Sequence, residues 1–278
     1  MKKTIVLFAL LMLTSLSFAQ KKDKIKGSKI VTIEQKQIES FTGIEVNDNL
    51  EVMLINGSEC GIEIEADDNL HDVIDFSLSG STLRIATLKD IISAKKISIR
   101  ITYTSDFKLV VAKNESQVTS LSDIEIADIS FRGYDYAKFF LNAKTTNFNL
   151  ECADKSKAEL NLKSEKATIN LSKNASLKAL ITATDLVFDM YQKSDATVDG
   201  DVTNLKLRLD NNAGFVGKNL AVLNGNITTE GYTNASITVT TNVIIDAAGK
   251  SEIQLYGDPK IEMKRFADSA VLMKKTLK

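Results

Sequence analysis

The sequence predicts an all-β protein whose larger part is a parallel β-solenoid. Short runs of alternating apolar and polar residues recur along the chain, and a period of two is the period of a β-strand. From about Ile124 onward, units of strand, small polar turn and strand repeat roughly every 20 residues. The 278-residue chain contains one proline, which agrees with heavily paired strands.

The first 19 residues have the features of a cleaved secretory signal. Lys2 and Lys3 precede an apolar core that runs from Ile5 to Leu13, and small residues precede Gln20. The alternative is a membrane anchor, but the core is shorter than the roughly 20 residues that a spanning helix needs. We therefore expect export to the periplasm or the cell surface, with no integral membrane segment in the mature chain. Residues 20–28 are polar, and we expect them to form a flexible leader.

Residues 29–110 are predicted to be a β-rich N-terminal region. Apolar residues alternate within short runs there, and turn sequences such as Asn56-Gly57-Ser58 and Ser79-Gly80-Ser81 separate the runs. One short helix is expected around Asn69–Ile74. The region is either a separate domain or the continuation of the solenoid.

Residues 111–260 are predicted to form about seven solenoid coils, because one unit cannot bury its own apolar face and stacked units can. A small residue marks a corner where a bulky side chain would clash, and Asn174, Asn211, Asn212 and Asn234 lie near such corners. The seven landmarks, spaced by 21, 18, 20, 18, 22 and 15 residues, are Ala137, Ala158, Ser176, Ala196, Gly214, Ser236 and Ser251. A β-sandwich is the competing fold, but it has no reason to repeat a small residue at one corner.

Exposed solenoid ends invite edge-to-edge pairing, so we expect both ends to be capped. The N-terminal region is the expected cap at one end. Residues 261–278, which are highly charged, are the expected strand, cap or tail at the other end.

Composition argues against several classes of function. The chain has 35 basic and 36 acidic residues, which makes a chain-wide polyanion-binding surface and a nucleic-acid partner unexpected. The two cysteines, Cys60 and Cys152, lie far apart in sequence. Export permits a disulfide, but we expect two separate thiols.

Few residues suggest catalysis, and we expect no catalytic residue, metal or cofactor. His71 is the one histidine, so a Ser-His-Asp arrangement would have to use it, and a two-histidine metal site is excluded. We expect His71 to be a surface residue. The segment Asp199-Gly200-Asp201 is either a Ca²⁺ site or an ordinary turn. Arg208, the one arginine of the middle coils, lies among other acids of the repeats, namely Asp185, Asp189, Asp195 and Asp210.

Aromatic residues are the remaining candidates for binding. Four phenylalanines are expected in the core, namely Phe139, Phe140, Phe148 and Phe188. Five tyrosines near the corners form either an exposed adhesive strip or separate half-buried positions: Tyr134, Tyr136, Tyr191, Tyr232 and Tyr256.

Three segments resemble a known family of exported bacterial proteins, the putative auto-transporter adhesin head GIN domain family. They are Phe41–Val46 with Leu50–Gly57, Ser79–Ile85, and Tyr256-Gly257-Asp258-Pro259. The resemblance covers nearly all of the mature chain. It implies a right-handed parallel β-helix, a Gram-negative source similar to the Bacteroidetes and a role in cell adhesion, and it supplies no catalytic or ligand residues.

Three functions follow as hypotheses. The first is a non-catalytic scaffold or adhesin that binds a surface polysaccharide or protein through one solenoid face. The second is a polysaccharide-active β-helix enzyme, and the third is a purely structural envelope module. The low content of His, Arg and Trp favours the first and third.

Overall fold

The computed structural model describes residues 22–276, so the signal expected at residues 1–19 lies outside the described residues. The chain is nearly all β and forms a β-solenoid of about nine turns, which confirms the predicted fold class. The expected count of about seven coils is low because strands of the N-terminal region also stack in register on the repeats.

Thirteen strands and one 3₁₀ helix precede the long repeats. The strands are β1 (Lys24–Lys26), β2 (Val31–Gln37), β3 (Gly43–Val46), β4 (Glu51–Asn56), β5 (Gly61–Asp67), β6 (Ile74–Ser79), β7 (Thr82–Thr87), β8 (Asp90–Ser93), β9 (Ile97–Tyr103), β10 (Leu109–Ala112), β11 (Gln117–Ser120), β12 (Ile124–Glu125) and β13 (Asp128–Gly133). The 3₁₀ helix, Asp68–Val73, lies where the sequence predicts a short helix. Gly80, with φ of 61°, forms the turn of the β6–β7 hairpin.

Nine further strands complete the chain. They are β14 (Lys138–Cys152), β15 (Lys157–Leu171), β16 (Ser176–Met190), β17 (Asp195–Leu209), β18 (Gly214–Thr229), β19 (Asn234–Ala247), β20 (Glu252–Tyr256), β21 (Lys260–Phe266) and β22 (Val271–Lys274). Strands β14 to β19 pair in parallel along nearly their whole length. Strand β14 pairs in turn with three separate strands, β11, β12 and β13, so the long strands contribute to two broad faces and to a narrow face between them that begins at β12.

The two broad faces are defined by their strands. The first face contains β2, β5, β9, β4, β11, the leading parts of β14–β19, β20 and β22. The second face contains β6, β7, β3, β10, β13, the trailing parts of β14–β19, and β21. Alternate residues on both faces point inward and form one continuous apolar core.

A tight turn joins each coil to the next, and it depends on the left-handed backbone region. In the turn after β14, Asp154 and Lys155 have φ of 55° and 71°, and the amide of Ser156 donates to the carbonyl of Ala153 at 3.1 Å. A buried small residue closes eight of these turns: Ser116, Ala137, Ser156, Ala175, Ser194, Ala213, Thr233 and Ser251. The turn before Ser116 ends instead at the buried Leu50, and the last turn ends at the half-buried Ala270.

The predicted corner landmarks are correct at Ala137 and Ser251 and wrong at five other positions. Ala158, Ser176, Ala196, Gly214 and Ser236 lie one to three residues beyond the corner, inside the next strand. For Ala158 and Ala196 the cause is the core itself, where large and small residues alternate along one stack: Phe139, Ala158, Leu177, Ala196, Phe215, Ala235 and Ile253. An alanine in this stack has the same sequence signature as a corner residue. From Ala137 onward the repeat between corners is 19 residues, with one step of 20 and one of 18, and the step from Ser116 to Ala137 is 21.

The N-terminal end of the solenoid is closed. Strand β5 pairs antiparallel with β9, β2 pairs antiparallel with β5, and the 3₁₀ helix places Leu70 in the core. The fully buried carboxylate of Asp67 fastens this cap, because it accepts hydrogen bonds from the backbone amides of Lys29, Lys95 and Lys96. The expected N-terminal cap is therefore present.

The C-terminal end is open, which corrects the expectation of a second cap. Strand β21 continues the second face in parallel with β19, and β22 continues the first face in parallel with β20. All seven residues of β21 are exposed. No strand within residues 22–276 pairs with the outer edge of either β21 or β22.

Candidate binding surfaces

A shallow groove runs along the first face. One depression, with a volume of about 520 Å³, extends from Thr119 to Asp199, and another of about 490 Å³ extends from Asp195 to Gln254. Both depressions include Thr197, so they adjoin on this face, and the two together are called the first-face groove.

The floor of this groove is a row of outward side chains in direct register. The row consists of Thr119, Phe140, Glu159, Lys178, Thr197, Val216, Ser236 and Gln254. Its members are separated by the interstrand distance of about 4.8 Å. A second row beside it contains Asn142, Asn161, Leu180 and Asp199. The groove thus presents evenly spaced amide, hydroxyl and charged groups.

Phe140 is the aromatic side chain of this floor. The expectation that it lies in the core is wrong, because Phe140 is half-exposed between Thr119 and Glu159. Phe139, Phe148 and Phe188 are buried as expected. Strand alternation explains the difference, since adjacent residues Phe139 and Phe140 must point to opposite faces.

The five corner tyrosines do not form a continuous strip. Tyr134, Tyr191 and Tyr256 are half-buried, whereas Tyr136 and Tyr232 are exposed. The two exposed rings lie about five coils apart along one corner. Each stacks with a lysine of the next coil at 5.0 Å, Tyr136 with Lys155 and Tyr232 with Lys250. The interpretation as separate positions is the one that fits this placement.

A second depression, of about 550 Å³, lies on the second face and is mostly apolar. Val187, Gly225 and Ile244 contribute to its lining. A ladder of side-chain amides borders it, in which Asn242 donates to Asn224, Asn224 to Asn204, and Asn204 to Asp185, at 3.0, 3.2 and 2.9 Å. The ladder satisfies these amides within the protein, which leaves fewer groups for a ligand than the first-face groove offers.

His71 is nearly buried, so the expectation of a surface histidine is wrong. Its Nε2 lies 2.8 Å from the hydroxyl of Thr32, and its Nδ1 lies 3.3 Å from a carboxylate oxygen of Glu34. Sequence spacing could not indicate this contact, because Thr32 and Glu34 reach the 3₁₀ helix only through the antiparallel pairing of β2 with β5. The depressions on the solenoid faces are lined by other residues. We infer that His71 stabilises the N-terminal cap by joining the 3₁₀ helix to β2.

The acidic residues of the repeats do not converge. Asp199 lines the first-face groove, whereas Asp201 lines a different depression on the narrow face. Gly200 separates them at a bend inside β17, with φ of 119°, and a Cβ there would lie 2.1 Å from the carbonyl oxygen of Ile181. No cluster of three or more metal-ligating side chains occurs among residues 22–276. Asp199-Gly200-Asp201 is thus a strand bend and not a turn between strands.

The two cysteines are separate thiols within the described chain. Cys60 is half-buried, and Cys152 is buried in the core. Burial raises the pKa of the Cys152 thiol to about 12, which keeps it protonated and unreactive at neutral pH. No helix within residues 22–276 is long and apolar enough to cross a membrane.

Solved structures share this architecture. A "putative adhesin" from Parabacteroides merdae is 17% identical with a TM-score of 0.64, and the match covers 92% of this chain and 100% of that one. A "putative adhesin" from Parabacteroides distasonis is 16% identical with a TM-score of 0.67, covering 91% and 100%. A "putative lipid binding protein" from the same species is 14% identical with a TM-score of 0.61, covering 92% and 100%. At these identities the likeness shows the fold alone.

The curated proteins contain no match to this chain. A family model, by contrast, matches residues 40–259, from the strand that opens the solenoid to the turn before its last coil. That model carries the description "Putative auto-transporter adhesin, head GIN domain". Since the match spans most of the 278 residues, the chain belongs to the head GIN domain family that this model describes.

Proposed function

We propose that this protein is an exported, non-catalytic adhesin-like protein that binds a surface polysaccharide along the first-face groove. The observation that carries this proposal is the continuous row from Thr119 to Gln254, with side chains placed at a regular interval of about 4.8 Å. A repeating ligand can make the same contact with several successive coils, and many weak contacts then add to a useful affinity.

The chemistry of the groove favours a neutral or weakly charged sugar chain. Asn142, Asn161 and Thr197 offer hydrogen bonds, and the half-exposed ring of Phe140 offers an apolar platform for the face of a sugar. Glu159 and Lys178 balance each other in adjacent coils. An extended protein segment is the alternative ligand for this groove.

The family and the names of the structural neighbours support both the proposed export and the proposed adhesin-like role. The matched family is described as an adhesin, and two neighbours are described as adhesins. We infer a location in the periplasm or on the surface of a Gram-negative bacterium, in keeping with the signal expected at residues 1–19.

A glycan array probed with the exported protein tests the proposal. We expect retained binding to one class of polysaccharide, lost in Phe140→Ala and in the double variant Asn142→Ala/Asn161→Ala. The matched control is Asn149→Ala/Asn170→Ala, which removes two amides from the second face of the same coils.

The outcomes separate the three hypotheses. Loss of binding only in the first-face variants supports the groove. Equal binding by all variants places the site elsewhere, and no binding to any glycan or envelope protein favours a purely structural module. Release of reducing or unsaturated ends from an acidic polysaccharide, abolished by Asp199→Asn or Asp201→Asn, would instead show the enzyme. The separation of these two carboxylates in the structure gives the enzyme no support.

A further inference from the structure

The two ends of the solenoid differ in a way that points to self-association. We propose that copies of this chain associate head to tail, with the open C-terminal end of one copy on the closed N-terminal end of the next. The tail surface consists of β21 and β22, and the head surface consists of residues 30–40 and 68–76. The proposal is independent of what the groove binds.

The tail surface exposes the last layer of the core. Ile261, Met263 and Phe266 continue the inward rows of Val243, Ile245 and Ala247, which are fully buried one coil earlier. Because no further coil of the described chain covers them, these three side chains are 43%, 45% and 45% exposed. Val271 on β22 adds a fourth exposed apolar residue. A core layer left open to water is an unusual cost for a monomer.

The head surface offers matching sheet edges. Strand β2 is the free edge of the first face, and β22 is the other free edge of that same face. Strands β6 and β21 have the same relation on the second face. The exposed apolar side chains on the head surface are Ile30 and Ile33, which are 63% and 64% exposed, and Leu78 of β6 adds a third beside them. A copy stacked on this end would cover apolar surface on both partners.

The charges of the two surfaces favour a contact between a tail and a head over a contact between two tails. Residues 260–276 contain five basic and two acidic residues, and Lys260, Lys264 and Lys275 form no ion pair within the described chain. Residues 30–40 and 68–76 contain five acidic residues and one basic residue, and they include the exposed Glu39, Asp68 and Asp72. Two tails brought together would repel each other, whereas a tail and a head attract.

The same lysines explain why tails do not pair with tails. Lysines on an edge strand, and a register shift next to Met263, are the devices that prevent pairing between like edges. A head-to-tail contact uses different surfaces on the two partners and does not close on itself, so it generates open chains of copies.

Sedimentation velocity of the protein purified after export tests this inference. We expect species larger than a dimer at high protein concentration and low salt, and dissociation toward monomer in about 0.5 M NaCl, where charges are screened within a few ångströms. Phe266→Ser should weaken the association at least tenfold. The tail variant Lys260→Glu/Lys264→Glu and the head variant Asp68→Lys/Asp72→Lys should each be monomeric alone.

Mixing the tail and head variants is the decisive experiment. The intact head of the tail variant can bind the intact tail of the head variant, so the mixture should form a discrete dimer and nothing larger. The matched control, Lys157→Glu/Lys206→Glu, reverses two exposed charges on the faces and should associate like the unmodified protein. Thermal melts establish that each variant is folded.

Three results would overturn the proposal. They are a monomer under all conditions, association that only the tail variant abolishes, and a mixture of variants that stays monomeric. A monomer that binds vesicles of anionic phospholipid through Lys260 and Lys264 would replace the second copy with a membrane surface.

Discussion

At the scale of single residues, the corner turns hold side chains in a backbone region that they seldom adopt. Asn174, Asn211 and Asn212 tolerate the left-handed region, but Lys155 and Lys193 have no such tolerance. Hydrogen bonds between successive corners maintain the geometry: the amide of Lys193, for example, donates to the carbonyl of Asn211 at 3.1 Å. Stacking of the coils therefore imposes a local conformation that the residue type disfavours.

Replacing Lys193 by asparagine should stabilise the protein. Lys193 has φ of 64°, and asparagine relieves part of the strain, so we expect a gain of about 0.5 kcal/mol in the free energy of unfolding. Urea denaturation measures the gain. Lys206→Asn, at an exposed strand position, is the control and should give no gain. Equal effects of both substitutions would contradict the turn-strain explanation.

The carboxylate of Asp67 should make the cap sensitive to acid. Burial opposes its ionisation, but hydrogen bonds from the amides of Lys95, Lys29 and Lys96 outweigh burial and lower the pKa of Asp67. Because the folded-state pKa is depressed, the stabilisation is complete above the pKa of an unfolded aspartate, about 3.9. It is lost as the pH falls through the lower folded-state value.

The variant Asp67→Asn isolates this contribution. We expect it to be less stable than the unmodified protein at pH 7 and to lose less stability between pH 5 and pH 2. The stability difference between the two proteins, measured by urea denaturation at each pH, should therefore shrink in acid. A difference that is constant with pH would show that Asp67 stabilises the cap by packing alone.

At the scale of elements, each coil repeats the contacts of its neighbours. Rows of equivalent side chains therefore connect several strands. The second-face ladder of Asp185, Asn204, Asn224 and Asn242 joins β16 to β19. The core stack through Phe139 and Ala158 alternates large and small residues, which fills the interior without overlap. One substitution therefore acts on the coils on both sides.

Breaking the second-face ladder should lower the free energy of unfolding more than removing a nearby side-chain amide does. Asn224→Ala removes the hydrogen bonds to Asn204 and Asn242, and we expect a loss of about 1 kcal/mol in the free energy of unfolding. Asn226→Ala, two residues away on the same strand, is the control. Denaturant midpoints compare the two variants. If the control costs as much, the ladder bonds add nothing beyond ordinary side-chain packing.

At the scale of the whole molecule, the solenoid has a closed end and an open end. The cap buries His71, Leu70 and Asp67 at the N-terminal end, while β21 is exposed along its full length. In a stacked array each coil is stabilised by its neighbours, so the terminal coil has half the support of an internal one.

Amide hydrogen exchange should follow this asymmetry. We expect the strongest protection in β15–β18, strong protection in β5 and β9 of the cap, and the weakest protection in β21 and β22. Under low-salt conditions that favour association, protection of β2, β21 and β22 should rise. Uniform exchange from both ends would indicate that the cap does not close the N-terminal end.

The sequence by itself determined the strand period, the repeat, the family and the presence of small residues and asparagine at corners. These features are local or recur at a fixed interval, so they can be recognised without knowledge of which strands pair. Only the tertiary structure decided that Ser156 and not Ala158 forms a corner, that Phe140 faces the groove while Phe139 faces the core, and that His71 meets Thr32 and Glu34. Those outcomes depend on register, which backbone hydrogen bonds between coils impose, and a one-residue shift reverses the face of every side chain.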